Sequence, residues 1–233
     1  MSSSNMTMLQ LVATGLGHLR DEVVFVGGCV AELYAKEPEL SDIRATLDVD
    51  CIIEISSYIK LGDFEEELCK LKFAHDTSEG APVCRWIYDG IKVDVMPTHS
   101  GVMGFSNRWY PDGIKNKIEV KLPDGTNVYI LSSEYYLATK FEAHQDRGGE
   151  DLRTSHDFED IIYVLDNNDG ITDIVKSCTN IELKHYLKEQ CTLLINNDNI
   201  IESIDCMLPI DSQEERVHYI CDIINNIASI EIQ

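Results

Sequence analysis

The sequence predicts an α/β (α+β) fold, a mixed sheet with flanking helices followed by a C-terminal helical region. Short β-branched runs such as 23–26 alternate with helical apolar patterns in the first half of the chain. Two pairs of strand-like runs flank the turn signals Asp89-Gly90 and Pro123-Asp124-Gly125, which favour antiparallel hairpins. After about Ser132 strand signals vanish and only helical spacing remains.

The elements follow one another in a regular order. Periodicity and turn residues predict a helix at 6–19, a strand at 23–26, a helix running from Gly28 through Tyr34, a strand at 47–55, a helix at 63–72, strands at 84–88 and 91–96, and strands at 119–122 and 127–131. The change of character near Ser132 predicts two domains, residues 1–131 and residues 132–233.

The composition narrows the range of partners. Forty-one Asp and Glu against nineteen Lys and Arg give a formal net charge of −22, which repels nucleic acids and anionic membranes at long range. The apolar stretch at 8–17 is too short for a membrane span or a signal peptide, so we expect no membrane partner and a cytoplasmic location. Eight cysteines without a C-x-x-C pair indicate free thiols in a reducing compartment.

Three carboxylates could gather on one side of the predicted sheet. Asp48 and Asp50 alternate along one strand and therefore project to the same face. Asp94 lies on a second strand, and it joins them if the two strands are neighbours. Hard oxygen ligands of this kind suit two Mg²⁺ or Mn²⁺ ions, which roughly 3.5–4 Å apart can assist a phosphoryl displacement.

A glycine pair precedes these carboxylates. Gly27-Gly28 lies between a strand and a predicted helix, where backbone N–H groups can approach a phosphate. Taken alone, such a pair is most often only a turn, and an alternating Asp pair is most often a solvated strand edge. The joint order of the motifs favours the functional interpretation.

The order Gly27-Gly28, Arg44-x-Thr46-x-Asp48-x-Asp50 and then Asp94 resembles the nucleotidyltransferase superfamily typified by DNA polymerase beta. Within it the chain is most similar to the AbiEii-type nucleotidyltransferase toxins of bacterial abortive-infection and toxin–antitoxin systems. The resemblance covers roughly residues 20–165. It implies a mixed nucleotidyltransferase sheet, two divalent ions, and transfer of a nucleotide monophosphate from a nucleoside triphosphate such as ATP with release of pyrophosphate.

The resemblance also implies a role for each matched residue. The metal ligands are Asp48, Asp50 and Asp94, which are catalytic together with Lys140 and Asp157, and the nucleotide-binding residues are Gly27, Gly28, Arg44, Thr46, Lys140 and Arg147. Lys140, His144 and Arg147 are spaced to share one helix face. The alternative interpretation is that these residues are ordinary exposed charges on a helix. The chain departs from the family pattern at two positions. Cys29 stands where many members have a small hydroxyl residue, and His156 stands where the family has a Lys.

The acceptor stays open among tRNA, a protein and a small molecule, and a cognate antitoxin or another partner protein is compatible with the resemblance. A second hypothesis is a catalytically silent nucleotide-binding or protein-interaction module of the same fold. A third is a structural acidic protein with a helical docking domain, which would bind neither metal nor nucleotide.

Overall fold

A computed structural model of the chain describes residues 3–38, 41–55, 57–104, 106–149, 151–209 and 214–232. The chain divides into two compact units. The first comprises Met1–Val30 and Arg44–Ser132, and the second comprises Ala31–Ile43 and Ser133–Gln233. All strands of the described residues belong to the first unit.

The first unit is built on one seven-stranded mixed sheet. Its strands are β1 (Val23–Val26), β2 (Asp48–Ile53), β3 (Ala74–His75), β4 (Arg85–Tyr88), β5 (Ile91–Pro97), β6 (Ile118–Lys121) and β7 (Asn127–Ile130). They lie in the order β3-β4-β5-β2-β1-β7-β6. The β2–β5 and β1–β7 pairs are parallel and the other neighbours are antiparallel. The central strands β5, β2 and β1 contribute much of the buried core.

Turn chemistry fixes the two hairpins that the sequence predicts. Asp89 and Gly90 both have positive φ, 48° and 79°, as a two-residue type I′ turn requires. This turn pairs Tyr88 with Ile91 and thereby sets the register of β4 against β5. The β6–β7 hairpin closes through Gly125, whose φ is 90°. Both predicted hairpins are confirmed.

Helices of the first unit differ in their limits from the prediction. Helix α1 (Ser4–Gly15) ends before residue 19, and a 3₁₀ helix at Gly17–Glu22 follows it. Gly17 has a φ of 53°, which interrupts the α-helix. Helix α2 (Tyr58–Lys70) begins earlier than predicted because Ser57 caps it. Two short helices, α3 (Ser100–Met103) and α4 (Tyr110–Gly113), follow β5.

Among its described residues, the second unit has helices as its only regular secondary structure. Its α-helices are α5 (Ser133–Arg147), α6 (His156–Asn167), α7 (Ile171–Ser177), α8 (Ile181–Ile195), α9 (Ile200–Met207) and α10 (Glu214–Ala228). Helix α10 packs against α6, α7, α8 and α9 through an apolar face that includes Val217, Ile220 and Ile224. The predicted C-terminal helical region, and with it the predicted fold class, is confirmed.

Two further findings concern membranes and thiols. Among the helices of the described residues, none is long and apolar enough to cross a bilayer. All eight cysteines are free thiols, as the sequence predicts.

Candidate functional site

Three carboxylates meet on one face of the central sheet, and we refer to Asp48, Asp50 and Asp94 as the acidic triad. Asp50 lies directly opposite Asp94 in the parallel β2–β5 register. Asp48 precedes Asp50 by two residues and therefore points to the same face. One carboxylate oxygen from each residue lies within 4.8 Å of the others. The predicted gathering of these side chains is therefore present.

The carboxylates of the triad lie in a polar setting. Asp48 and Asp50 are half-buried, and Asp94 is 8% exposed. Alternation sends the neighbouring Val49 and Val93 to the opposite, apolar face, where both are fully buried. The carboxylate of Asp94 is buried on the opposite face from these valines, and its environment is polar because it pairs with an arginine.

That arginine is Arg85, a residue that the sequence reasoning missed. Its Nε donates to Asp94 Oδ1 at 2.8 Å, and its Nη2 donates to Asp94 Oδ2 at 2.7 Å. The same Nη2 lies 3.4 Å from Asp48 Oδ2. The hydrogen bonds to Asp94 raise the pKa of Arg85 above its ordinary value. A signal was available, because counting back from the Asp89-Gly90 turn places Arg85 opposite Asp94.

Gly27 makes room for the triad. Its φ of 74° is a conformation that side-chain-bearing residues rarely adopt. A Cβ at this position would lie 2.0 Å from Asp50 Oδ2. Gly28 begins the helix that the sequence predicts as far as Tyr34, and this helix is of the 3₁₀ type. The Cys29 thiol is buried and lies 3.4 Å from the carbonyl oxygen of Val26, so it contacts the core.

The segment that carries Arg44 and Thr46 is held by Asn5 of α1, a second residue that the sequence reasoning missed. Asn5 is fully buried, and its Nδ2 donates to the Arg44 carbonyl at 2.7 Å. Its Oδ1 accepts from the Thr46 backbone N–H at 2.9 Å. The Thr46 hydroxyl lies 3.3 Å from both Asn5 Oδ1 and the Asp48 carbonyl oxygen. These contacts fix the entry into β2, immediately before Asp48.

The donor chemistry of the triad fits a hard divalent cation. It offers three carboxylates on one face, with oxygens close enough to share an ion, and oxygen donors are what Mg²⁺ and Mn²⁺ prefer. Like charges this close require compensation, and the guanidinium of Arg85 supplies one positive charge. Asp48, Asp50 and Asp94 are therefore the residues that would hold the metal.

The remaining predicted residues form an ion-pair network within the second unit. Lys140 of α5 is 6% exposed, and its Nζ lies 3.3 Å from Asp157 Oδ1 and 2.6 Å from Asp160 Oδ2. Arg147 donates from Nε and Nη2 to the two oxygens of Asp157, at 2.8 and 3.0 Å. The network confirms that Lys140 and Arg147 share the face of α5 that contacts the start of α6.

Local electrostatics of this network follow from burial and pairing. Burial opposes the charged form of Asp157, but hydrogen bonds from Arg147 and Lys140 outweigh it and lower the pKa of this carboxyl. His144 Nδ1 lies 2.7 Å from the Ser155 hydroxyl, and burial lowers the pKa of this histidine. His156, by contrast, is exposed and lies near Glu159.

Neither of two sequence comparisons identifies a relative of this chain. A scan against protein-family models finds no matching family, and a search of curated proteins finds no significant match. The resemblance to nucleotidyltransferases therefore stays a prediction that depends on the motifs and on the geometry of the triad.

Proposed function

We propose that the chain is a metal-dependent nucleotidyltransferase, which transfers a nucleotide monophosphate from a nucleoside triphosphate to an acceptor hydroxyl. The observation that carries the proposal is the acidic triad, three carboxylates on adjacent parallel strands whose oxygens lie within 4.8 Å of one another. Gly27, which touches Asp50, extends this support, because the glycine motif and the carboxylates belong to one local structure.

In this proposal some residues of the first unit bind the metal ions, and others hold the metal ligands in place. Asp48, Asp50 and Asp94 would hold two Mg²⁺ or Mn²⁺ ions, which would neutralise the triphosphate and stabilise charge on the attacking and leaving oxygens. Gly27 leaves the space that Asp50 occupies. Asn5 and Thr46 fix the strand entry before Asp48, so that the carboxylates are preorganised.

The reaction is an in-line displacement at the α-phosphorus. The acceptor hydroxyl loses its proton to solvent as its oxygen forms a bond to this phosphorus, the bond from the α-phosphorus to the α,β-bridging oxygen breaks, and pyrophosphate leaves with that oxygen. Such a transfer depends on positioning and on electrostatic stabilisation more than on covalent participation of the protein. The absence of a side chain at Gly27 and the rigid placement of the triad on central strands suit this requirement.

The proposal includes nucleotide contacts by six residues, Gly27, Gly28, Arg44, Thr46, Lys140 and Arg147. It also includes a catalytic role for Lys140 and Asp157. Support for the roles of Lys140, Asp157 and Arg147 comes from the family resemblance. Lys140 and Arg147 already share Asp157 as a partner. Each role predicts a separable effect, because loss of a triphosphate contact raises KM, whereas loss of an interaction made only in the transition state lowers kcat.

The decisive experiment measures pyrophosphate release. The protein is incubated with Mg²⁺ and each labelled nucleoside triphosphate, together with total tRNA, a protein mixture or aminoglycoside-like small molecules. We expect release with at least one acceptor, and loss of release in the Asp48→Ala, Asp50→Ala double variant. A matched control, Asp63→Ala with Glu66→Ala, removes two exposed acids of α2 and should keep the activity. Release that persists without Asp48 and Asp50 would reject the proposal.

The same experiment separates the competing hypotheses. Nucleotide binding in calorimetry without turnover on any acceptor would favour a silent binding module of this fold. Binding of neither metal nor nucleotide would favour a structural protein. A role as a toxin with a cognate antitoxin predicts that expression arrests bacterial growth, and that the Asp48→Ala, Asp50→Ala variant does not.

A further inference from the structure

Arg85 is built into the acidic triad more firmly than a surface ion pair would be. Its side chain is 18% exposed, and two of its nitrogens grip both oxygens of Asp94 at 2.8 and 2.7 Å. The strand register places it there, because Arg85 lies opposite Asp94 in the β4–β5 pair. Bidentate arginine–carboxylate pairs of this kind define the orientation of the carboxylate.

The contacts that Arg85 makes with the triad are unequal. Asp94 receives two short hydrogen bonds, whereas Asp48 Oδ2 lies 3.4 Å from the Nη2 atom. A magnesium ion requires its oxygen ligands at about 2.0–2.1 Å in near-octahedral geometry. The contact with Asp48 is the longer and weaker of the two, so it is the one that would break first if the carboxylate of Asp48 turned toward an ion. The pair with Asp94 can persist, because a carboxylate has lone pairs for both an arginine and a metal.

Charge gives Arg85 a second role. Three carboxylates with oxygens within 4.8 Å of one another repel, and the guanidinium is a positive charge in contact with two of them. The same charge also repels an incoming divalent cation. Arg85 therefore stabilises the metal-free triad more than the metal-bound triad.

We propose, on the basis of the metal-dependent function proposed above, that Arg85 is a positioning residue and resident counter-ion of the acidic triad. It keeps the three carboxylates assembled when no metal is bound. When a divalent cation binds, Arg85 releases Asp48 and continues to orient Asp94. Arg85 thus makes the metal affinity of the protein lower than the three carboxylates alone would give. It also keeps the site assembled before a metal ion binds.

The test measures Mn²⁺ binding to the full chain by the electron paramagnetic resonance signal of free Mn²⁺. We expect Arg85→Gln to bind Mn²⁺ about tenfold more tightly than wild type, within the usual range of coupling between two binding events. Thermal unfolding in the presence of a chelator should occur at a lower temperature in this variant, and saturating Mn²⁺ should restore most of the loss. A general structural defect would not tighten metal binding.

Arg153→Gln is the matched control. Arg153 also pairs with two carboxylates, Asp151 and Glu202, and its replacement changes the net charge by the same amount. We expect its Mn²⁺ affinity to equal that of wild type. Arg85→Lys keeps the charge but lacks the planar fork, so it should stay close to wild type in affinity while losing stability in chelator.

Several results would overturn the inference. Mn²⁺ affinity of Arg85→Gln that is unchanged or weaker would reject the counter-ion role, as would equal tightening in Arg153→Gln. If Arg85→Gln does not fold, Arg85→Lys provides the test. A loss of stability in Arg85→Lys that is the same in chelator and in saturating Mn²⁺ would also reject the counter-ion role. Failure of folded wild type to bind Mn²⁺ would instead remove the proposed metal centre itself, so the two failures are distinguishable.

Discussion

Replacement of Gly27 by alanine tests the link between the glycine turn and the acidic triad. The new Cβ would lie 2.0 Å from Asp50 Oδ2, and real contacts of this kind essentially never fall below 3.0 Å. The carboxylate of Asp50 and the backbone at residue 27 must therefore move apart by about 1 Å. Catalytic and metal geometries tolerate displacements of only about 0.5 Å, so we expect Mn²⁺ binding to weaken at least about tenfold, or about 1.4 kcal/mol.

The backbone penalty can be separated from this displacement. Alanine at a positive φ costs about 1–2 kcal/mol of unfolding free energy, whatever its surroundings. Gly149 has a φ of 71°, close to the 74° of Gly27, but no atom lies within 4 Å of its virtual Cβ, and it lies outside the sheet that carries the triad. Gly149→Ala is therefore the matched control, which should lose similar stability in urea unfolding and keep its Mn²⁺ affinity.

The refuting result is equally specific. If Gly27→Ala binds Mn²⁺ as tightly as Gly149→Ala, then Asp50 either is not a ligand or moves without consequence. The proposal that the glycine turn and the carboxylates form one site would then be wrong.

Three further predictions concern buried polar groups. Asn5→Ala removes the amide that holds the 44–46 segment and should lower the unfolding free energy by about 2–4 kcal/mol in urea titration, because a buried backbone N–H loses its partner; a loss below the error of the titration would contradict the assigned contacts. Lys140→Met leaves two buried carboxylates short of a counter-charge and should cost about 3–5 kcal/mol, whereas a neutral effect would show that the ion pairs do not hold the helices. Asp157 has a lowered pKa in the folded protein, so its stabilising contribution is present above the unfolded value of about 3.9 and is lost as pH falls through the folded value. Arg147→Gln should reduce this shift and move the acid-unfolding midpoint, followed by circular dichroism, to higher pH; an unchanged midpoint would contradict it.

Local sequence chemistry was sufficient to predict the sheet elements that position the site. Strand β1 has the predicted limits, and the Asp89-Gly90 turn forms the predicted hairpin. These succeed because period-two alternation and turn residues act over a few positions. The same turn also fixes the pairing of Arg85 with Asp94, so this contact was within reach of sequence reasoning that counted residues back from the hairpin.

Other features depend on tertiary packing and could not be predicted from local patterns. The end of α1 at Gly15 coincides with close approach of the Tyr88 ring, since a Cβ at Gly15 would lie 2.3 Å from that ring. Asn5 shares a helix face with Leu9 and Val12, which marks it as a polar residue at a core position. Its partners lie 39 and 41 residues away in the sequence, and no local rule identifies them.

The placement of the acidic triad within the sheet has a consequence for its persistence. Strands β2 and β5 each have a neighbour on both sides, whereas the margins are the two-residue β3 and the four-residue β6. Backbone amides at the margins of a sheet open locally, while those at its centre exchange with solvent deuterium only on rare, extensive opening. The amides of 48–53 and 91–96 should therefore be among the slowest to exchange, and fraying at either border leaves the spacing of the carboxylates intact.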